Sequence, residues 1–171
     1  MDKSLSTEDI VNQVNCNVLK YSDIKNYNSI DDMLINDRCV ILYETTKNKG
    51  HWTCLYKYKN TIYFFDSYGN NHEEQKNFIP NKIKKALKQD HKRLTELLYN
   101  SNYDVEYNET QLQQFKNNIN TCGRWVVVRM MYPHISVDNF KKLLRNHDFV
   151  NINLVSIATE AGYQECLKTV N

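Results

Sequence analysis

The sequence predicts an α+β fold, with a central, largely antiparallel sheet flanked by helices, in one domain spanning residues 1–171. Three apolar runs rich in β-branched and aromatic residues follow one another at 39–43, 51–58 and 61–66. Only Lys59-Asn60 separates the last two, which marks a two-residue hairpin and therefore an antiparallel pair. Helix signals lie on both sides of these runs, as capping residues before them and as apolar stripes of helical period after them. A length of 171 residues suits one core, since domains typically run to about 100–150 residues.

From the amino terminus, Ser6-Thr7-Glu8-Asp9 ahead of Ile10 and Val11 reads as a capped first turn, and Ser29 caps a second short helix through Ile30-Asp31-Asp32-Met33-Leu34. Cys39 to Tyr43 reads as a buried strand, and His51 to Tyr58 with Thr61 to Asp66 as the hairpin. After Pro80-Asn81, the residues Ile83, Leu87, Leu94, Leu97 and Leu98 recur among Lys and Arg, predicting a long helical stripe to Leu98 with its charges in water. Val105 and Tyr107 predict a short strand, and the polar stretch 111–120 a loop. Trp125-Val126-Val127-Val128 favours a strand by propensity alone, because β-branched side chains lose rotamer freedom in a helix. Ser136-Val137-Asp138 opens an amphipathic helix through Leu143 and Leu144. A candidate strand at Val150 to Ile152 and a candidate helix from Leu154 to Leu167 follow.

Twenty-two Lys and Arg residues against 20 Asp and Glu leave a net charge of +2, too balanced to argue for nucleic acid or an acidic membrane surface without a local patch. Every apolar run is interrupted well short of the ~20 residues of a membrane span. The five cysteines, Cys16, Cys39, Cys54, Cys122 and Cys166, are odd in number and scattered, with no secretory signal ahead of them. They are expected to be reduced thiols in an intracellular protein.

Chemistry concentrates in four signatures, in this order: Gly50-His51-Trp52, Phe65-Asp66-Ser67-Tyr68-Gly69, the glutamines Gln111, Gln113 and Gln114, and Thr121-Cys122-Gly123-Arg124-Trp125. A neutral thiol is a poor nucleophile, so a catalytic cysteine needs a histidine to take its proton and a third group to orient that histidine. Cys122, His51 and Asp66 supply the three types. With the turn at Lys59-Asn60, Tyr58 pairs with Thr61, and counting outward places Thr53 opposite Asp66 and His51 opposite Tyr68. His51 and Asp66 then project from one face as diagonal neighbours ~7–8 Å apart, within reach of an imidazole–carboxylate bond. An oxyanion also requires a neutral, rigid donor, for which a glutamine amide is suited; Gln113 is the choice and Gln114 the alternative.

This combination resembles the adenovirus-type and SUMO-protease superfamily of cysteine proteases, whose pattern runs His-Trp, Asp, Gln, Cys-Gly. Within it, Gly50-His51-Trp52, Phe65 to Gly69 and Asn120 to Trp125 are most similar to the capsid maturation proteases of virophages, Polinton-like viruses and related large DNA viruses. The resemblance covers about His51 to Met131, and more faintly Tyr21 to Leu34. It implies a papain-like fold in which Cys122 opens a buried helix, so that a positive helix end lies beneath the sulfur and the Cys122 N–H faces the oxyanion. It also implies His51 as base, Asp66 as orienter, Cys122 as nucleophile and Gln113 as oxyanion donor, with Trp52 beside the histidine. The stretch between the glutamines and Cys122 is longer than in SUMO proteases, which keeps Gln113 and Gln114 both open.

Plainer readings stand beside these. Cys16, Cys39, Cys54 and Cys166 read as small buried hydrophobes, and His72, His91, His134 and His147 as ordinary surface or satisfied residues. Ser67 lies in no Gly-x-Ser-x-Gly elbow and reads as a turn residue. His51 and Cys54 would point to opposite faces of a strand, which argues against a zinc site. The basic cluster Lys82, Lys84, Lys85, Lys88, Lys92 and Arg93 reads as a solvated helix face, although the resemblance raises DNA, or a peptide, as an activator.

The expected function is a cysteine endopeptidase with a polypeptide substrate, namely viral capsid or other virion precursors, working as a monomer without cofactor, metal or membrane, in the virion and the host-cell viral factory. Two alternatives are an isopeptidase that removes ubiquitin-like modifiers and, in another class, an inactive protease-like binding module.

Overall fold

The computed structural model describes residues 4–113 and 120–145. Helix α1 (Thr7–Gln13) starts where Ser6 and Asp9 cap each other, the Asp9 N–H on the Ser6 hydroxyl and the Ser6 N–H on the Asp9 carboxylate. Helix α2 (Ile30–Met33) uses the same box through Ser29 and Asp32. Between them lie strand β1 (Asn17–Lys20) and a 3-10 helix, Tyr21–Asn26.

Strands β2 (Arg38–Thr46), β3 (Lys49–Tyr58) and β4 (Thr61–Phe65) form the centre of a five-stranded sheet, with β1 at one edge and β5 (Asp104–Tyr107) at the other, in the order β1-β2-β3-β4-β5. The centre is antiparallel, as expected, and the hairpin has the predicted register, Tyr58 opposite Thr61, with Lys59 in the left-handed region at φ 56°. Both edges pair parallel to their neighbours. The sequence carries no signal for β1, because four residues with polar ends show no period.

Both faces of the sheet are covered, and alternate residues of each strand feed two cores. Val40, Leu42, Trp52, Cys54, Tyr56 and Phe65 join Ile10 and Val14 of α1 and the residues of helix α5 (Cys122–Met131). Ile41, Tyr43, Leu55, Ile62 and Phe64 join Tyr21, Ile24, Ile30 and Met33 with Leu94, Leu97 and Leu98. Coverage on both sides explains why β2 reads as a continuous apolar run rather than an alternation. Helix α5 is buried from Cys122 to Met130, so tertiary packing overrides the strand propensity of its three valines. Helix α6 (Val137–Arg145) follows, its Phe140 edge-on to both Phe65 and Trp125.

The predicted stripe from Asn81 to Leu98 is corrected by the structure, which divides it into α3 (Asn81–Ala86) and α4 (Arg93–Tyr99). The physical reason lies at Gln89. Beside the irregularity between Glu44 and Thr46 in β2, the fully buried Gln89 amide accepts from the Glu44 N–H and donates to the Glu44 carbonyl, both at 2.9 Å. Inserting that amide satisfies two buried backbone groups, and the chain leaves helical geometry to do so, with Lys88 at φ 56°. The candidate strand at 150–152, the candidate helix at 154–167, Gln114, His147 and Cys166 lie outside the described residues. Among the described residues no helix is long and apolar enough to cross a membrane.

Candidate active site

His51 is the third residue of β3 and Asp66 directly follows β4, so the hairpin brings both to the same end of the sheet. The approach is tight there. A Cβ on Gly50 would stand 1.9 Å from the Tyr43 carbonyl oxygen, so only glycine lets β2 close on β3 beside His51. His51 Nε2 lies 2.6 Å from Asp66 Oδ1, with the histidine buried and the aspartate wholly so.

A buried carboxylate is tolerable only when its lone pairs are filled. Oδ1 of Asp66 also accepts the Tyr68 N–H at 2.9 Å, and Oδ2 accepts the N–H and the side-chain amide of Asn70 at 3.3 and 3.0 Å. Asn108, just beyond β5, grips the Asp66 backbone from both sides. Its Oδ1 accepts the Asp66 N–H at 2.8 Å, and its Nδ2 donates to the Asp66 carbonyl at 2.6 Å.

Cys122 is the first residue of α5 and buried. Its sulfur is hydrogen-bonded to His51 and to the backbone N–H groups of Trp52 and Gly123. Gly123 is crowded less severely than Gly50, for a Cβ there would stand 3.1 Å from Leu5 Cβ and 3.2 Å from Trp52 Cδ1, both side-chain atoms. Trp52 therefore packs beneath the first turn of α5, its indole N–H on the Leu5 carbonyl at 3.2 Å.

Burial pulls the His51 pKa down, but the hydrogen bonds and charges of Asp66 and Cys122 outweigh it and lift the value to about 9. Burial pushes the Cys122 thiol up, and His51 together with the two backbone N–H groups brings it below its ordinary value. Both shifts favour the pair in which the sulfur carries the negative charge and the imidazole the proton. The other described cysteines go the opposite way through burial, Cys16 to about 11 and Cys39 and Cys54 well above the ordinary thiol value.

Gln113 is buried alongside the turn that follows Asp66. Its Oε1 accepts the Ser67 hydroxyl at 2.9 Å and its Nε2 donates to the Tyr68 hydroxyl at 3.1 Å. The Tyr68 ring stacks on the His51 imidazole, centroids 4.7 Å apart and planes 21° apart, so Gln113 joins the His51 neighbourhood through Tyr68. Sequence reasoning missed Asn70, Asn108 and the roles of Ser67 and Tyr68. Only the closeness of Ser67, Tyr68 and Asn70 to Asp66 in the chain hints at the first group, and Asn108 gives no such hint. Among the described residues no three His, Cys, Asp or Glu side chains are grouped as a metal ion would need.

No family model matches the chain. Among solved structures it is similar to the C-terminal Ulp1 protease domain in complex with Smt3, the yeast ortholog of SUMO, at 17% identity and a TM-score of 0.33, covering 72% of this chain and 60% of that one. Among curated proteins it is 36% identical over 143 residues to "Uncharacterized protein V9" of Sputnik virophage, covering 81% of this chain and 82% of the relative. At that identity and coverage, the chain belongs to the family of the Sputnik virophage protein V9.

Proposed function

We propose that this protein is a cysteine endopeptidase in which Cys122 is the nucleophile, His51 the general acid and base, Asp66 its orienter and Gln113 an oxyanion donor. The observation that carries the reading is the position of one buried imidazole, bonded on one side to a carboxylate and on the other to a thiol at a helix amino terminus. In this mechanism the Cys122 thiolate attacks the scissile carbonyl carbon, and the oxyanion that forms is met by the Cys122 N–H and the Gln113 amide. As the C–N bond breaks, His51 passes its proton to the leaving amine, giving a thioester. His51 then takes a proton from water, which attacks the thioester, and as the C–S bond breaks the acid is released and Cys122 leaves as thiolate beside the protonated imidazole.

The order of the four signatures and the virophage relative favour virion precursor proteins as substrates and an adenovirus-type maturation role, in the viral factory and the assembling virion. The test is co-expression with the major capsid protein of the same genome, read by intact mass. Wild type is expected to trim the capsid protein at a defined position, Cys54→Ala to do the same, and Cys122→Ala to leave it whole. Trimming by Cys122→Ala would exclude Cys122 as nucleophile, and an untouched capsid protein with wild type would exclude this substrate.

A further inference from the structure

We propose that Tyr68 is a positioning residue for this reaction, its ring holding the imidazole of His51 and its hydroxyl holding the side-chain amide of Gln113. The inference rests on the cysteine-hydrolase reading above. Three parts of Tyr68 make three separate contacts. Its backbone N–H donates to Asp66 Oδ1 at 2.9 Å, the oxygen that His51 Nε2 meets at 2.6 Å. Its ring lies over the imidazole at 4.7 Å and 21°. Its hydroxyl accepts from Gln113 Nε2 at 3.1 Å, while Ser67, the preceding residue, donates to Gln113 Oε1 at 2.9 Å.

The amide is thus gripped at both ends by consecutive residues of the turn that also carries Asp66. Ser67 also accepts the backbone N–H groups of Leu112 and Gln113 on its carbonyl, both at 2.9 Å, so the glutamine segment has little freedom to drift. Burial and the charges of Cys122 and Asp66 raise the Tyr68 hydroxyl above its usual pKa, which keeps it neutral and able to accept from the amide.

The two ends of Tyr68 act differently. The electron-rich ring face favours the protonated imidazole by a cation–π interaction and keeps water off one side of it, which supports the thiolate on Cys122. The hydroxyl fixes the amide, which matters only when an oxyanion forms. Two small reagents separate these effects and need no knowledge of the cleavage sequence. Iodoacetamide forms an S–C bond as iodide leaves, with no oxyanion. p-Nitrophenyl acetate forms an S–C bond through a tetrahedral oxyanion that collapses as p-nitrophenolate leaves with the bonding electrons.

Second-order rate constants for both reagents at Cys122 are to be measured against pH on wild type, Tyr68→Phe, Tyr68→Leu, Gln113→Ala and the Tyr68→Phe/Gln113→Ala double variant. Tyr68→Phe is expected to keep the alkylation profile and to lose about 10-fold in acylation, a fraction of the loss for a whole oxyanion donor. Gln113→Ala should lose at least as much, and the double variant no more than Gln113→Ala, because both changes cut one linkage. Tyr68→Leu should in addition move the thiolate limb of alkylation upward by about half a pH unit to one unit. A wild-type ratio of acylation to alkylation in Tyr68→Phe, equal losses with both reagents, or additive losses in the double variant would overturn the inference alone. A wild-type Cys122 no faster than the other thiols with either reagent would instead overturn the hydrolase reading on which it rests.

Discussion

At the scale of single residues, the account turns on where one proton sits. His51 holds it up to about pH 9 because Asp66 and Cys122 together outweigh burial, and Asp66 can do so because its four lone-pair positions are filled by His51, the Tyr68 N–H and two Asn70 donors. Sign follows from this. In the proposed mechanism, raising the pH through about 9 removes the imidazole proton that the leaving amine needs, so kcat/KM should fall along an alkaline limb near that value. Asp66→Asn keeps the shape but removes the charge, so the limb should move down toward the ordinary imidazole range and the neutral-pH rate should drop about 100-fold or more. A pH–rate profile of both proteins checks this, and an unmoved limb in Asp66→Asn would remove Asp66 from the mechanism. Asp66 was legible because it ends a hairpin strand whose register counts back to His51; Asn108 was not, since its contact with Asp66 spans 42 positions in the chain.

At the scale of elements, short motifs act by letting backbones approach. Gly50 admits β2 against β3 and Gly123 admits Trp52 against α5, and these are the residues that flank His51 and Cys122 in sequence. The same reasoning applies to Gln89, which replaces the backbone partners that Glu44 lacks at the irregular end of β2. Gln89→Leu should leave two buried polar groups unmade at about 1–3 kcal/mol each, lowering unfolding stability by about 2–6 kcal/mol in a urea titration. An unchanged midpoint would mean that water or a shifted strand satisfies Glu44. The hairpin and both capping boxes were legible because each is encoded by neighbours in sequence. The break between α3 and α4 was not, because its cause is a strand 45 positions away, and apolar spacing alone reads across it.

At the scale of the whole molecule, a sheet covered on both faces leaves the ends of its strands as the place where a helix terminus can meet strand residues. The start of β3, the end of β4 and the first turn of α5 meet there. Propensity assigns Trp125 to Val128 to a strand, and burial on every side makes that segment a helix. The ordered signatures pointed to this arrangement through resemblance, since neither composition nor periodicity carries the distance from position 51 to position 122. The resulting environment differs sharply among the thiols, because burial raises Cys16, Cys39 and Cys54 while His51 lowers Cys122.

The most direct measurement is the labelling of the folded protein by substoichiometric iodoacetamide at neutral pH, mapped by peptide mass. The prediction is that Cys122 takes the label at least about 10-fold faster than Cys16, Cys39 or Cys54, and that His51→Ala abolishes the preference. Equal labelling of Cys16, Cys39, Cys54 and Cys122, or a preference for Cys122 that survives His51→Ala, would contradict the account.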